Sequence, residues 1–540
     1  MVDFWGRIQP PKRPLPLSRC GSFHTRIKRT VVQPKNVTVS LVWLRRDLRL
    51  SDNPALAQAI ADGRPILFLF HLDSERLGRH DVDGTHIQWE LDCLDRLRHD
   101  IESRGGIVLF RFGHVLNSLN ELNTEHNLHT IYGNEESGLQ WSWERDKSVA
   151  KWCQENNVNF EEFPSNGVIR RLRSRDDWKT LRDRRIDAPI IEAPQRISSV
   201  KTLHSDLIPH ATTFGLEVRE LQYRPEPGET AAMDTLFSFL DERGRGYRKG
   251  MSSPISGASM CSRLSPYLSS GCITIRQIFY HTRRKQRRIK TNPRSAENRG
   301  WSGSLSSYQS RLAWHCHFMQ RLEAEATLDE QAMNPELDAL LVRPYDEEKF
   351  LAWANGTTGW PFFDACMRSL RATGWINFRM RAMMQSVASY TLWLPWRVTG
   401  AHLARQFLDY EPGIHWSQIQ MQSGVTGINS VRAYSILKQS KDQDPDGKFI
   451  KRWVPELKDV PLERIHEPWL MSQEEQNDVS CVIGIDYPEP IVDEKVTRKE
   501  GISQAYKAKA DAEAKLRSKM VYLVHGSRKR SRFQQASHQK

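Results

Sequence analysis

Between residues 38 and 165 the chain alternates two kinds of apolar pattern. Short runs dense in β-branched and aromatic residues recur: VTVSLVWL, PILFLFHL, GIVLFRFG, HTIYGN and NFEEF. Runs of that length and content read as buried strands. Between them, near 53–62, 84–104, 115–126 and 137–156, apolar residues recur at helical spacing. Strands alternating with helices predict a parallel sheet covered by helices, an α/β domain over 38–165. From 231 to 475 the spacing is 3.6-periodic and the strand signal is low, which predicts an all-α domain. Residues 166–230 between them are broken by Pro194, Pro209, Pro225 and Pro227 and read as a connector, with a basic helical piece at 169–185. Residues 1–37 read as an extended basic arm. Residues 476–540 read as a basic extension with a helix at 499–523 and a disordered GSRKRSRF tail at 526–533.

The all-α region carries an anomaly. Helix-like segments between 360 and 457 are apolar all round, yet Asp364, Arg379, Arg381, Asp409 and Glu411 interrupt them. A buried charge is costly unless it is paired or used by a ligand. The segments therefore predict the wall of a large polar ligand site.

Charge and composition narrow the partners. The net charge of +13 is uneven: residues 1–37 carry +7 and residues 495–540 carry +10, so the remainder is −4. Nucleic acid would have to meet the folded core at a local basic patch. The stretch HTRRKQRRIKTNPR at 281–294, with seven Lys and Arg, is the candidate and reads as a basic loop. The eight cysteines are scattered without a CxxC pair, so neither a zinc ribbon nor an iron–sulfur cluster is expected, and reduced thiols suit a cytoplasmic protein. An Arg-rich, acid-poor arm leaves organelle targeting as the alternative. No apolar run reaches membrane-spanning length. No GxGxxG follows the first strand, so a dinucleotide Rossmann site is not expected.

Several blocks, in order, resemble the photolyase/cryptochrome family, in a divergent, bacterial photolyase-like form. They are LVWLRRDLRLSDNPAL at 41–56, CSRLSPYLSSG at 261–271, SRLAWHCHF at 310–318, WPFFDACMRSLRATGWINFRMRAMM at 360–384, LWLPWR at 392–397 and LDYEPGIHWSQIQMQSGVTGIN at 408–429. The resemblance implies FAD in the all-α domain, and an α/β domain able to hold a folate or deazaflavin antenna pigment. It puts Ser262, Arg263, Leu264 and Ser265 at the FAD diphosphate, where small hydroxyls and amides suit an anion. It adds Tyr247, Tyr308 and Glu411 to the cofactor site and sets the Arg381–Asp409 pair beside the flavin ring. His415 takes the place beside flavin N5, where photolyases carry Asn. There it could donate a hydrogen bond or a proton, depending on its protonation.

By the same resemblance, Trp314 is the tryptophan that stacks on a flipped thymine dimer, and Arg311 stands where dimer-repairing members carry Glu. His315 and His317 sit beside it. Trp396 matches the middle member of an electron-supplying tryptophan chain. The flavin-proximal position falls near Ile419, with Trp416 as a nearby substitute. Arg284, Lys285, Arg287 and Arg288 would hold phosphates at the cavity rim. The implied activity is light-driven repair of pyrimidine dimers in UV-damaged DNA. The alternative is a cryptochrome-type photoreceptor without repair.

Overall fold

The computed structural model describes residues 37–164, 166–293 and 295–527. The N-terminal arm, apart from Val37, and the tail beyond Ser527 lie outside the described residues.

The five predicted runs are five strands: β1 (Val39–Leu44), β2 (Ile66–Asp73), β3 (Val108–Gly113), β4 (Leu128–Asn134) and β5 (Asn159–Phe163). They form one parallel sheet in the order β3-β2-β1-β4-β5. Val42 of β1 pairs with Phe68 on one side and Tyr132 on the other. Every residue of β1 and β2 is buried, because helices cover both faces. Those helices include α1 (Pro54–Asp62), α2 (Gly84–Glu102), α3 (Val115–His126) and α4 (Gln140–Glu155). The start of α1 is set locally. Asn53 Oδ1 accepts the Leu56 N–H at 3.1 Å, and Pro54 occupies the first turn, where its missing N–H costs nothing.

The second region is helical, as expected. The elements that matter for the site are α5 (Ile275–Thr291), α6 (Trp301–Ala324), α7 (Phe378–Ser386), α8 (Trp396–Gln406) and α9 (Pro412–Ser423). Here the expectation of a basic loop at 281–294 is corrected: most of that stretch is the C-terminal half of α5. A capping box between Thr274 and Gln277 starts the helix. Ile275, Ile278, Phe279, Thr282 and Ile289 then recur at helical spacing and are buried. The density of charge on the other face hid that stripe.

The two regions share one continuous core, in which strand residues Leu44 and Phe70 join Tyr247, Tyr308 and Cys316 of the helical region. Gly271 is required at the seam. It has φ +73°, and a Cβ there would lie 2.0 Å from the Arg46 carbonyl oxygen. Arg49 Nη1 donates to its carbonyl at 3.0 Å. The expected helix at 499–523 is two helices, α10 (Glu494–Ala510) and α11 (Ala512–His525). They divide at Asp511, whose carboxylate accepts the Ala514 N–H at 2.9 Å and caps α11.

Candidate functional site

A cavity of about 380 Å³ opens between α6, α7, α9 and the loop before the short helix Ser265–Ser270. That size is within the usual range for ligand sites. It is lined by every residue expected to hold the cofactor: Tyr247, Ser262, Arg263, Leu264, Ser265, Tyr308, Arg381, Asp409, Glu411 and His415. Arg311 and Trp314 line it as well. From Tyr247 to His415 these residues are spread over 168 positions of the sequence.

Charge on this wall is organised in pairs. Arg381 grips Asp409 with two parallel hydrogen bonds, at 2.9 and 2.8 Å. Burial alone would raise the Asp409 pKa, but Arg381 outweighs it and holds the carboxyl below its ordinary value. Arg263 has φ +62°, an uncommon conformation for a side chain of that size, and its guanidinium stacks on Trp375 at 3.8 Å. Burial lowers its pKa to about 10, so it stays cationic near neutrality. His315 meets the Glu411 carboxylate at 3.0 Å. Burial opposes a charged imidazole here, yet Glu411 prevails and the His315 pKa rises to about 10.

His415 is different. Burial pushes its pKa down to about 4, against a hydrogen bond to the Gly400 carbonyl at 2.8 Å. A carbonyl only accepts, so Nε2 carries the proton and Nδ1 keeps a lone pair. The expectation that His415 could donate is therefore restricted: near neutral pH its one N–H is already committed to Gly400.

Several polar atoms on the wall are buried without a partner among the described residues. Asn377 Oδ1, Arg379 Nε, Gln385 Oε1, Gln418 Oε1 and Gln422 Oε1 are all of this kind. Buried polar groups are normally satisfied, so such a concentration marks a place for a polar ligand. A flavin nucleotide, with acceptors and donors around a flat apolar ring, fits that lining. Among the five anomalous charges Asp364 is the exception and does not line the cavity. It accepts from the Thr358 and Gly359 N–H groups and from the Thr358 and Tyr487 hydroxyls, so it fixes a turn.

At the mouth, Trp314 is 38% exposed. The Arg311 guanidinium lies 4.1 Å from its ring centre and 5.5 Å from that of Phe378. His317 points elsewhere, onto Trp178. Ile419 lines the cavity, while Trp416 lies wholly buried behind the wall, with Trp396 packed edge-on at 6.1 Å. Arg284, Arg287 and Arg288 are exposed on α5, which touches α6 through Gln286 and Gln309. Lys285 is diverted from the basic face. It sits 3.6 Å from Asp241 and lies over the Trp301 ring.

A family model described as the FAD-binding domain of DNA photolyase matches residues 308–508. A second, described as DNA photolyase, matches residues 40–176. Together they span more than half of the chain. The chain belongs to the photolyase/cryptochrome family. Similar relatives carry both of the family's names. One is "Cryptochrome-1" of Drosophila melanogaster, 27% identical, with 84% of this chain and 91% of the relative covered. Another is the "Deoxyribodipyrimidine photo-lyase" of Alkalihalophilus pseudofirmus, 26% identical, with 86% and 97% covered. The crystal structure of a bacterial class III photolyase from Agrobacterium tumefaciens superposes with a TM-score of 0.76 at 24% identity, covering 89% of this chain and all of that one.

In the α/β domain of this family member, ion pairs gather at the crevice where sheets of this kind bind ligands. That crevice lies at the carboxyl ends of the strands, where the order reverses between β1 and β4. Here Arg45 bonds Asp146 at 2.7 Å and Glu162 at 2.8 Å. Arg145 bonds Glu136 at 2.7 Å and Asp146 at 2.8 Å. The nearby cavities measure about 40 and 80 Å³. Among the described residues no helix is long and apolar enough to cross a membrane, and no group of three or more His, Cys, Asp or Glu could hold a metal ion.

Proposed function

We propose that this protein is a blue-light-driven deoxyribodipyrimidine photo-lyase that binds FAD in the helical cavity and repairs pyrimidine dimers in UV-damaged DNA. The observation that carries the reading is Trp314. A large aromatic face stands half-exposed at the mouth of a cavity lined with unsatisfied polar groups. A flipped base needs such a face.

The roles follow from the wall. Tyr247, Ser262, Arg263, Leu264, Ser265 and Tyr308 would hold the nucleotide, with cationic Arg263 facing its phosphates. Arg381, kept in place by Asp409, would set a positive charge beside the ring, which favours the anionic reduced form. FAD supplies, when bound, the light-driven electron that opens the dimer. Arg311 and protonated His315 would offer hydrogen-bond donors to thymine carbonyls, in place of the Glu of dimer-repairing relatives. Exposed Arg284, Arg287 and Arg288 would hold backbone phosphates.

Arg311 at the Glu position favours a second reading, a photoreceptor that keeps the flavin but not repair. Trp314→Ala separates the two. Stacking is worth roughly 1–3 kcal/mol per base. Repair therefore predicts a loss of about one to two orders of magnitude in affinity for dimer-containing oligonucleotide, with undamaged DNA nearly unaffected. Unchanged affinity for damaged DNA refutes substrate binding at this mouth.

A further inference from the structure

One side chain on the cavity wall, with a partner behind it, has no part in holding a nucleotide. Tyr410 lines the cavity, and its hydroxyl donates to Asp81 Oδ2, far away in the chain, at 2.5 Å. The Tyr410 hydroxyl oxygen also accepts the Trp416 Nε1–H at 2.9 Å. Asp81 is 2% exposed, and Arg79 Nε lies 3.3 Å from its other oxygen. Burial opposes its charge, but the Tyr410 hydroxyl and Arg79 outweigh that, so Asp81 remains a carboxylate. The hydroxyls of Tyr247 and Tyr308, on the same wall, have no carboxylate partner among the described residues.

We propose that Tyr410 is the electron donor to a light-excited oxidised flavin in this cavity, and that Asp81 takes its proton. The inference rests on the flavin reading above. Tyr410 gives up one electron to the excited isoalloxazine ring, and its O–H bond breaks. The proton crosses to Asp81 Oδ2. The protein is left with a neutral tyrosyl radical and a carboxylic acid, and the ring holds the extra electron. An oxidised phenol is a far stronger acid than a phenol, so a base already hydrogen-bonded to it lowers the cost of oxidation.

The surroundings support the assignment. Trp416 is set behind the wall, and its N–H points at a hydroxyl rather than at a base, so it is the second carrier. Trp396 packs against Trp416 at 6.1 Å, and Arg397, with a side chain 38% exposed, covers Trp396 at 4.3 Å. That line runs from the cavity to Trp396, 2% exposed beneath Arg397, across which an external reductant can refill it. Tyr410 and Asp81 also border a cavity of about 40 Å³, enough for a water that could return the proton.

The test uses the FAD-loaded full chain, frozen under blue light and examined by electron paramagnetic resonance. The proposal predicts a tyrosyl signal that narrows when the protein carries ring-deuterated tyrosine. Tyr410→Phe, with FAD content unchanged, should lose that signal and slow photoreduction by thiol about tenfold. Asp81→Asn keeps a hydrogen-bond partner but not the base, and should lower the radical yield by a similar factor. A wild-type radical indifferent to tyrosine deuteration overturns the inference, and does so without any variant. Bound FAD that undergoes no light-driven reduction at all removes the flavin photochemistry beneath it as well.

Discussion

Arg381 and Asp409 show how a single side chain holds this site. Removing the guanidinium leaves Asp409 buried without its bidentate partner, a loss of about 3–5 kcal/mol. Arg381→Ala should therefore lower the urea midpoint and strip the protein of FAD; full FAD content at unchanged stability would contradict that role. His315 makes a pH-dependent contribution. Its pKa is raised to about 10 in the fold, above the ordinary 6.5. The stability it adds is fully present below about pH 6.5 and is lost as pH rises through about 10. The stability difference between wild type and His315→Gln should shrink between about pH 6 and about pH 9.5, measured by urea unfolding. A difference that grew with pH would reverse the assigned charge. At this scale Arg381 and Asp409 stood out as charges in apolar segments and the resemblance supplied Trp314, and all three line one cavity. Partners were not legible. Tyr410 meets Asp81 across 329 positions, and Glu411 meets His315 across 96. No local pattern announces such pairings, because folding alone brings them together.

Elements were more readable than partners. β1 and β2 stood out because a strand buried on both faces must be apolar throughout. Helix α5 was mistaken for a loop because its charges outnumber the few apolar positions that bury it. As a helix, it presents Arg284, Arg287 and Arg288 on one rigid exposed surface, while Lys285 turns to Asp241. Changing those three arginines to Glu should weaken damaged and undamaged DNA about equally. The salt dependence of binding should flatten by about 0.9 in slope for each phosphate no longer neutralised. An effect confined to damaged DNA would place lesion recognition on α5 instead. Lys285→Glu should have a smaller effect.

Across the whole molecule, the two regions were each foreseeable, and their junction was not. Gly271 against Arg46 and the Tyr410–Asp81 tie bind sheet and helices into one core, so the cavity wall is partly held by the α/β domain. Ion pairs such as Arg45–Asp146 and Arg145–Glu136 gather at that domain's own crevice. The proposed repair takes place in the helical cavity. The most direct measurement incubates reduced, FAD-loaded protein with an oligonucleotide carrying one defined thymine dimer, under blue light and in darkness, and counts restored thymines. Repair predicts restoration in the light alone, lost in Trp314→Ala. No restoration by wild-type protein that demonstrably carries reduced FAD would contradict it.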